Sequence, residues 1–366
     1  MATVSYKCIN CGGPLKYNPT KLKFSCEYCQ SDFTEEQLQA HFGNLDENLN
    51  DTANEEQVPE PRDTNGDGVI DENDFNSNTV LYQCPSCGAE VITEATTAAT
   101  TCVYCHSPVV LAGRLAGNMK PQKVIPFKIS GDMAKERFKE ICKKKWFLPS
   151  SFLSETQLEN MKGVYYPYWL VDSLKDGEMY ATGKKTRTWR VGDDQYTETK
   201  TYKIFRAGKI DFRNYPKEAL NTENAALLKY VNPYDDVDFK NFSMSYLSGF
   251  QAEKRNMERN DLQAVVDKDL TNYSKKVYQE TIHGYDSVTV DHIQMNTLEE
   301  SWDYALLPVW VMTYQYRGKN LLYAMNGQTG KVYGSLPCSV GKLIALGVIV
   351  AVLVCLLSFL GGYFLL

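Results

Sequence analysis

Cys8, Cys11, Cys26 and Cys29 set out the pattern Cys-x2-Cys-x14-Cys-x2-Cys, and Cys84, Cys87, Cys102 and Cys105 repeat it without change. Each Cys-x-x-Cys turn can aim two sulfurs at one point. Two such turns complete a tetrahedron around a zinc ion, at Zn–S distances of ~2.3 Å. Modules of about 30 residues bury too little apolar surface to fold alone, so metal binding would supply their folding energy. A redox Cys-x-x-Cys pair would sit in a larger thioredoxin-like unit, which the flanking sequence lacks. The pattern therefore predicts two structural zinc ions, zinc 1 on Cys8, Cys11, Cys26 and Cys29, and zinc 2 on Cys84, Cys87, Cys102 and Cys105. With four ligands each and no open position, neither site is catalytic. His41 and His106 are bystanders, because both tetrahedra are already filled.

The ribbons occupy residues 1–42 and 80–115. In the first, Pro14–Tyr17 and Lys21–Ser25 alternate around Asn18-Pro19-Thr20, a hairpin pattern. Ala89–Thr93 and Ala98–Thr101 do the same less clearly in the second. Gly12, Gly13 and Gly88 follow ligand cysteines where the chain must turn tightly.

Residues 43–79 form an acidic linker, with eleven acids against Arg62. The net charge of −6 is thus local, and the rest of the chain carries +4. Residues 44–62, with Pro59 and Pro61, are expected to be loosely extended. Residues 63–74 resemble the twelve-position calcium loops of EF-hands and dockerins. Asp63, Asn65 and Asp67 stand at positions 1, 3 and 5, Gly68 at the turn, the Val69 carbonyl at 7, Asp71 at 9 and Asp74 at 12. Asp74 replaces the usual bidentate Glu, the prolines forbid a normal incoming helix, and no second loop pairs with it. Calcium is thus the second metal that the sequence offers.

Residues 120–336 read as an α+β domain with antiparallel sheet. Lys123–Ile129 looks like a strand, and Phe138, Ile141, Cys142 and Trp146 fall near helical spacing, with Lys143, Lys144 and Lys145 in the last turn. Val164-Tyr-Tyr-Pro-Tyr-Trp-Leu-Val171 is echoed by Ala305-Leu-Leu-Pro-Val-Trp-Val-Met312. A helical segment precedes each echo and a turn and strand follow it, which suggests internal duplication. The prolines place these strands at an edge or a bulge. Asn326-Gly-Gln-Thr-Gly330 reads as a turn, and Gly183-Lys-Lys-Thr186 fails the phosphate-loop pattern. No catalytic constellation emerges. His283 and His292 are isolated, and the pairs Asp235-Asp236 and Glu299-Glu300 read as solvated surface.

Leu343–Leu366 contains no charge, and 24 residues span about 36 Å as a helix against a ~30 Å hydrocarbon core. The sequence predicts one transmembrane tail anchor. Lys342 and the absence of an apolar leader after Met1 put the N-terminal domains in the cytosol, where thiolates survive as metal ligands.

With these features together, the chain resembles bacterial membrane proteins described as TFIIB-type zinc ribbon-containing, a group that also carries a name taken from the replication-restart helicase PriA. The ATPase motifs of a helicase are missing here. The expectation is a non-enzymatic, membrane-tethered adaptor or scaffold with a protein partner. The alternatives are nucleic-acid binding, which neither ribbon's charge favours, and a metal or stress sensor. Four lysines meet four acids in residues 1–42, and one arginine meets two acids in 80–115.

Overall fold

The computed structural model describes residues 3–42, 79–115, 117–149, 152, 158–221, 228–316 and 318–365. The calcium-loop residues Asp63 to Asp74 lie outside them. The first ribbon contributes β1 (Leu15–Asn18), β2 (Lys23–Cys26), β3 (Asp32–Phe33) and helix α1 (Glu35–Phe42), and the expected hairpin forms between β1 and β2. The second contributes β4 (Thr79–Gln83), β5 (Glu90–Glu94), β6 (Thr97–Thr101) and β7 (Pro108–Val110). Then come β8 (Lys123–Val124), helix α2 (Gly131–Lys143), β9 (Lys162–Val191) and β10 (Asp194–Glu218). After the short helix α3 (Leu228–Val231) follow β11 (Lys240–Asn241), β12 (Gln251–Glu253), helix α4 (Arg259–Glu280) and β13 (Ser287–Tyr316). The chain ends with β14 (Lys319–Asn326), β15 (Val332–Gly334) and helix α5 (Val340–Leu365).

Ten strands form one mixed sheet whose main path runs β11-β8-β13-β9-β12-β6-β7. The expected antiparallel sheet is corrected by two parallel pairings, β12 with β9 and β8 with β13. In each pair the short strand lies beside the long strand that its own helix does not lead to, and because β9 and β13 are antiparallel to one another, that neighbour runs parallel to it.

The two Pro-x-Trp echoes lie side by side. In the antiparallel register Leu307 faces Tyr166, Leu306 faces Pro167, and Pro308 faces Tyr165. On the outer side of each long strand, the neighbour changes at the proline. β12 pairs with Val164 and Tyr165, and β10 takes over from Tyr168. β8 pairs with Ala305 and Leu306, and β14 takes over from Val309. The missing proline N–H therefore falls in a gap between partners, inside the sheet rather than at its edge. The two carbonyls are used alike. That of Pro167 accepts from the Ala219 N–H at 3.0 Å and that of Pro308 from the Gly327 N–H at 2.8 Å.

The tryptophans repeat the correspondence. Trp169 Nε1 donates to the Met257 carbonyl and Trp310 Nε1 to the Ile129 carbonyl, both at 3.0 Å. Each acceptor lies two residues before a helix, α4 and α2 respectively. Each half thus anchors the helix entry of the other.

The helices bury single stripes, Ala134, Phe138 and Cys142 on α2, and Leu262, Val266, Leu270, Ser274 and Tyr278 on α4. Ser130 caps α2 by accepting from the Met133 N–H, and α2 ends at Lys143, so Trp146 leaves the predicted stripe and stands 81% exposed. Asn326, fully buried, anchors the β14–β15 turn. Its amide donates to the Val231 and Pro233 carbonyls, and its side-chain oxygen accepts from the Gln328 and Thr329 N–H groups.

α5 carries no charge after Lys342, and its described side chains are exposed. Its 26 residues make it long and apolar enough to cross a membrane.

Trp169→Phe leaves a partly buried carbonyl and Trp310→Phe a buried one without its indole donor, at a cost of about 1–3 kcal/mol each. Denaturant midpoints of the detergent-solubilised full chain should fall by similar amounts for the two variants.

Candidate metal centres

Four turns of one kind hold the eight sulfurs. The N–H of the residue after each second cysteine returns to the first cysteine's carbonyl: Gly12 to Cys8, Gln30 to Cys26, Gly88 to Cys84 and His106 to Cys102, at 2.8–2.9 Å. Each of those residues has positive φ, +73°, +59°, +75° and +55° in that order. Glycine adopts this freely, and Gln30 and His106 do so with strain. His106 is therefore a turn residue, and His41 packs against Phe42 at a 5.0 Å ring separation, outside the cysteine clusters. The next backbone carbonyl closes each turn, as where the Cys8 N–H donates to Gly13 and the Cys102 N–H to Ser107.

The turns converge in pairs. The four sulfurs of Cys8, Cys11, Cys26 and Cys29 lie within 4.8 Å of one another, and so do those of Cys84, Cys87, Cys102 and Cys105. Cys8–Cys29 and Cys11–Cys26 are separated by 3.5 Å, Cys84–Cys105 by 3.7 Å and Cys87–Cys102 by 3.8 Å. A tetrahedron with Zn–S bonds of ~2.3 Å sets its sulfurs about 3.8 Å apart. These separations fit that geometry and far exceed the ~2.05 Å of a disulfide. Both sites are thus compatible with a structural zinc ion.

Serines tune one sulfur at each site, which the cysteine spacing alone does not reveal. The Ser31 hydroxyl, 3.3 Å from Cys29 Sγ, and then the Ser31 backbone N–H pull the Cys29 thiol down to about 6. The Ser107 hydroxyl likewise draws Cys105 down to about 6. Cys11 and Cys87 move up to about 12. The Gly13 and Ala89 N–H groups act to lower them, but hydrogen bonding with neighbouring sulfurs outweighs that effect. Four sulfurs this close do not all ionise alone, and a dication removes the conflict.

The ribbons are built into the rest of the molecule. β6 pairs with β7 and, through Ala99 opposite Ala252, with β12, which places the second ribbon's last strands in the ten-stranded sheet. β5 pairs instead with β4, so the two strands predicted as that ribbon's hairpin join different sheets. Ala98 and Ala99 are fully buried, and their small side chains allow that close packing. The first ribbon joins through a Val4–Val110 bridge and through Tyr17, whose N–H donates to the Ser248 carbonyl at 3.0 Å. Tyr246 packs against Tyr17 and Phe24, and its hydroxyl donates to Glu35 on α1.

The other polar groups singled out in the sequence do not converge. His283, in the connection after α4, and His292, on β13, are both exposed. Asp235 caps a turn through the Val237 N–H, and Glu300 accepts from Trp302 Nε1 at 2.7 Å and Gln263 Nε2 at 2.9 Å. Burial pushes the Cys142 thiol up to about 11, consistent with an apolar filler.

Cys26→Ser removes a buried ligand from the first site alone. Elemental analysis of the purified full chain under reducing conditions should find about half the zinc of the unsubstituted protein, the other four-sulfur site remaining loaded.

No family model and no solved structure matches the chain. A curated relative does: the uncharacterized protein YdjG of Bacillus subtilis (strain 168) is 34% identical over 236 residues, covering 64% of this chain and 69% of YdjG. With its paired four-cysteine centres set against a mixed sheet, the chain belongs to the same family as YdjG.

Proposed function

We propose that the chain is a non-enzymatic, membrane-tethered scaffold that docks a protein partner on its zinc knuckles. One observation carries this reading. Tyr28 and Tyr104 occupy the same place, just before the last cysteine of each site, and are 77% and 68% exposed. Exposed Val103 stands beside Tyr104. A tyrosine fixed between metal ligands presents a large amphipathic surface that loses little entropy when covered, as binding hot spots do. The apolar core does not use either ring. The even charge balance of the ribbons favours a protein surface over a phosphate backbone.

Under this reading α5 is the tether, a single span with Lys342 and the bulk of the chain on the cytosolic side. The two zinc ions keep the knuckles rigid. The halves β8-α2-β9-β10 and β12-α4-β13-β14 descend from one duplicated unit. The matched proline gaps and exchanged indole bonds support that descent.

Cross-linking mass spectrometry in intact cells should recover a protein neighbour at residues around Tyr28 or Tyr104. The double variant Tyr28→Ala/Tyr104→Ala should lose that neighbour at least tenfold while keeping its zinc. An unchanged set of neighbours would refute knuckle docking.

A further inference from the structure

The foot of α5 meets a segment far away in sequence. The Ser339 N–H donates to the Phe147 carbonyl, and Lys342 Nζ donates to the Leu148 carbonyl, both at 2.6 Å. These two bonds tie the turn after α2 to the level at which the last charge precedes the apolar helix. That turn carries Lys143, Lys144 and Lys145, all exposed, and among the described residues none of them forms an ion pair. Trp146 follows, with most of its indole uncovered. Between the turn and the foot lies a cavity of about 360 Å³ with Trp146, Phe147, Leu148, Leu336 and Pro337 in its wall. Lys144 and Lys145 also line it.

A solvated helix end accounts for the three lysines alone, since cations favour a helix C-terminus. It leaves the uncovered tryptophan and the adjoining apolar cavity without a reason. An amphipathic indole beside lysines at the mouth of an apolar helix is the pattern of a membrane–water interface, where each lysine also attracts anionic lipid. A cavity of this size is within the range of small-ligand sites.

We propose that the Lys143–Leu148 turn and the foot of α5 form a binding shelf for an anionic phospholipid of the bilayer. The headgroup phosphate lies on Lys143, Lys144 and Lys145, Trp146 sits at headgroup level, and an acyl chain enters the apolar cavity. The inference rests on α5 spanning a membrane, and it names the lipid class that the span selects.

The test uses the full chain, expressed in membranes and then transferred to detergent. Native mass spectrometry would compare bound dioleoyl-phosphatidylglycerol with dioleoyl-phosphatidylcholine, and alkaline carbonate extraction would report insertion separately. The expected result is at least a tenfold preference for phosphatidylglycerol. The variant Lys143→Gln/Lys144→Gln/Lys145→Gln should abolish that preference while remaining inserted and keeping its zinc. Trp146→Ala should weaken binding of both lipids. Insertion with no preference, or with one that the triple variant retains, overturns the shelf and leaves the membrane span standing. Displacement of phosphatidylglycerol by an equal concentration of inorganic phosphate overturns the lipid assignment. Release by carbonate overturns both readings.

Discussion

The pairing of β6 with β12 joins the metal chemistry to the sheet. β6 ends one residue before Cys102, so its direction is set where sulfurs converge, and its Ala99 lies against Ala252 in the interior. β12 in turn pairs with β9, the strand that carries Trp169. The ribbon keeps a small core of its own around Tyr82, Val91 and Leu111, and β6 adds Ala98 and Ala99 to the main core. In return, the sheet gains an edge whose outermost strands lead to a metal site. The first ribbon adds to the same edge through Val4 and Val110 and rests on the Ser243–Ser248 segment.

A pair of long strands crosses the middle of this arrangement. β9 and β13 each run for 30 residues and meet with their prolines on either side of the Tyr166–Leu307 pair. Proline inside a sheet removes a ladder bond, and here it does so where the outer neighbour changes, so no donor is missed. Each short strand lies beside the other half's long strand, and each indole holds the other half's helix entry. Separating the halves would therefore break contacts in both at once, which ties them into one unit.

Much of this was legible in the sequence. Identical cysteine spacings announced two four-sulfur sites, an uncharged run announced α5, and two Pro-x-Trp segments announced matched strands. Other features left no local trace. The outer part of the β9–β10 hairpin, from Lys184 to Thr201, is exposed on both faces, so it lacks the alternation that marks a half-buried strand. β6, only five residues of threonine and alanine, is too short to reveal which strands would flank it. Prolines argued for edges because sequence alone cannot show where a neighbouring strand stops. Ser31 and Ser107 act on sulfurs across a turn, and the approach of Phe147 to Ser339 spans about half of the chain.

Through β6 and β12 the metal sites and the sheet form one cooperative body. Hydrogen–deuterium exchange on the full chain in detergent, before and after zinc is stripped by a chelator under reducing conditions, tests it directly. Loss of protection reaching past the cysteine turns into Ala98–Thr101 and across to Gln251–Glu253 is the predicted result. Faster exchange confined to the four cysteine turns, with β6 and β12 as protected as before, would contradict it.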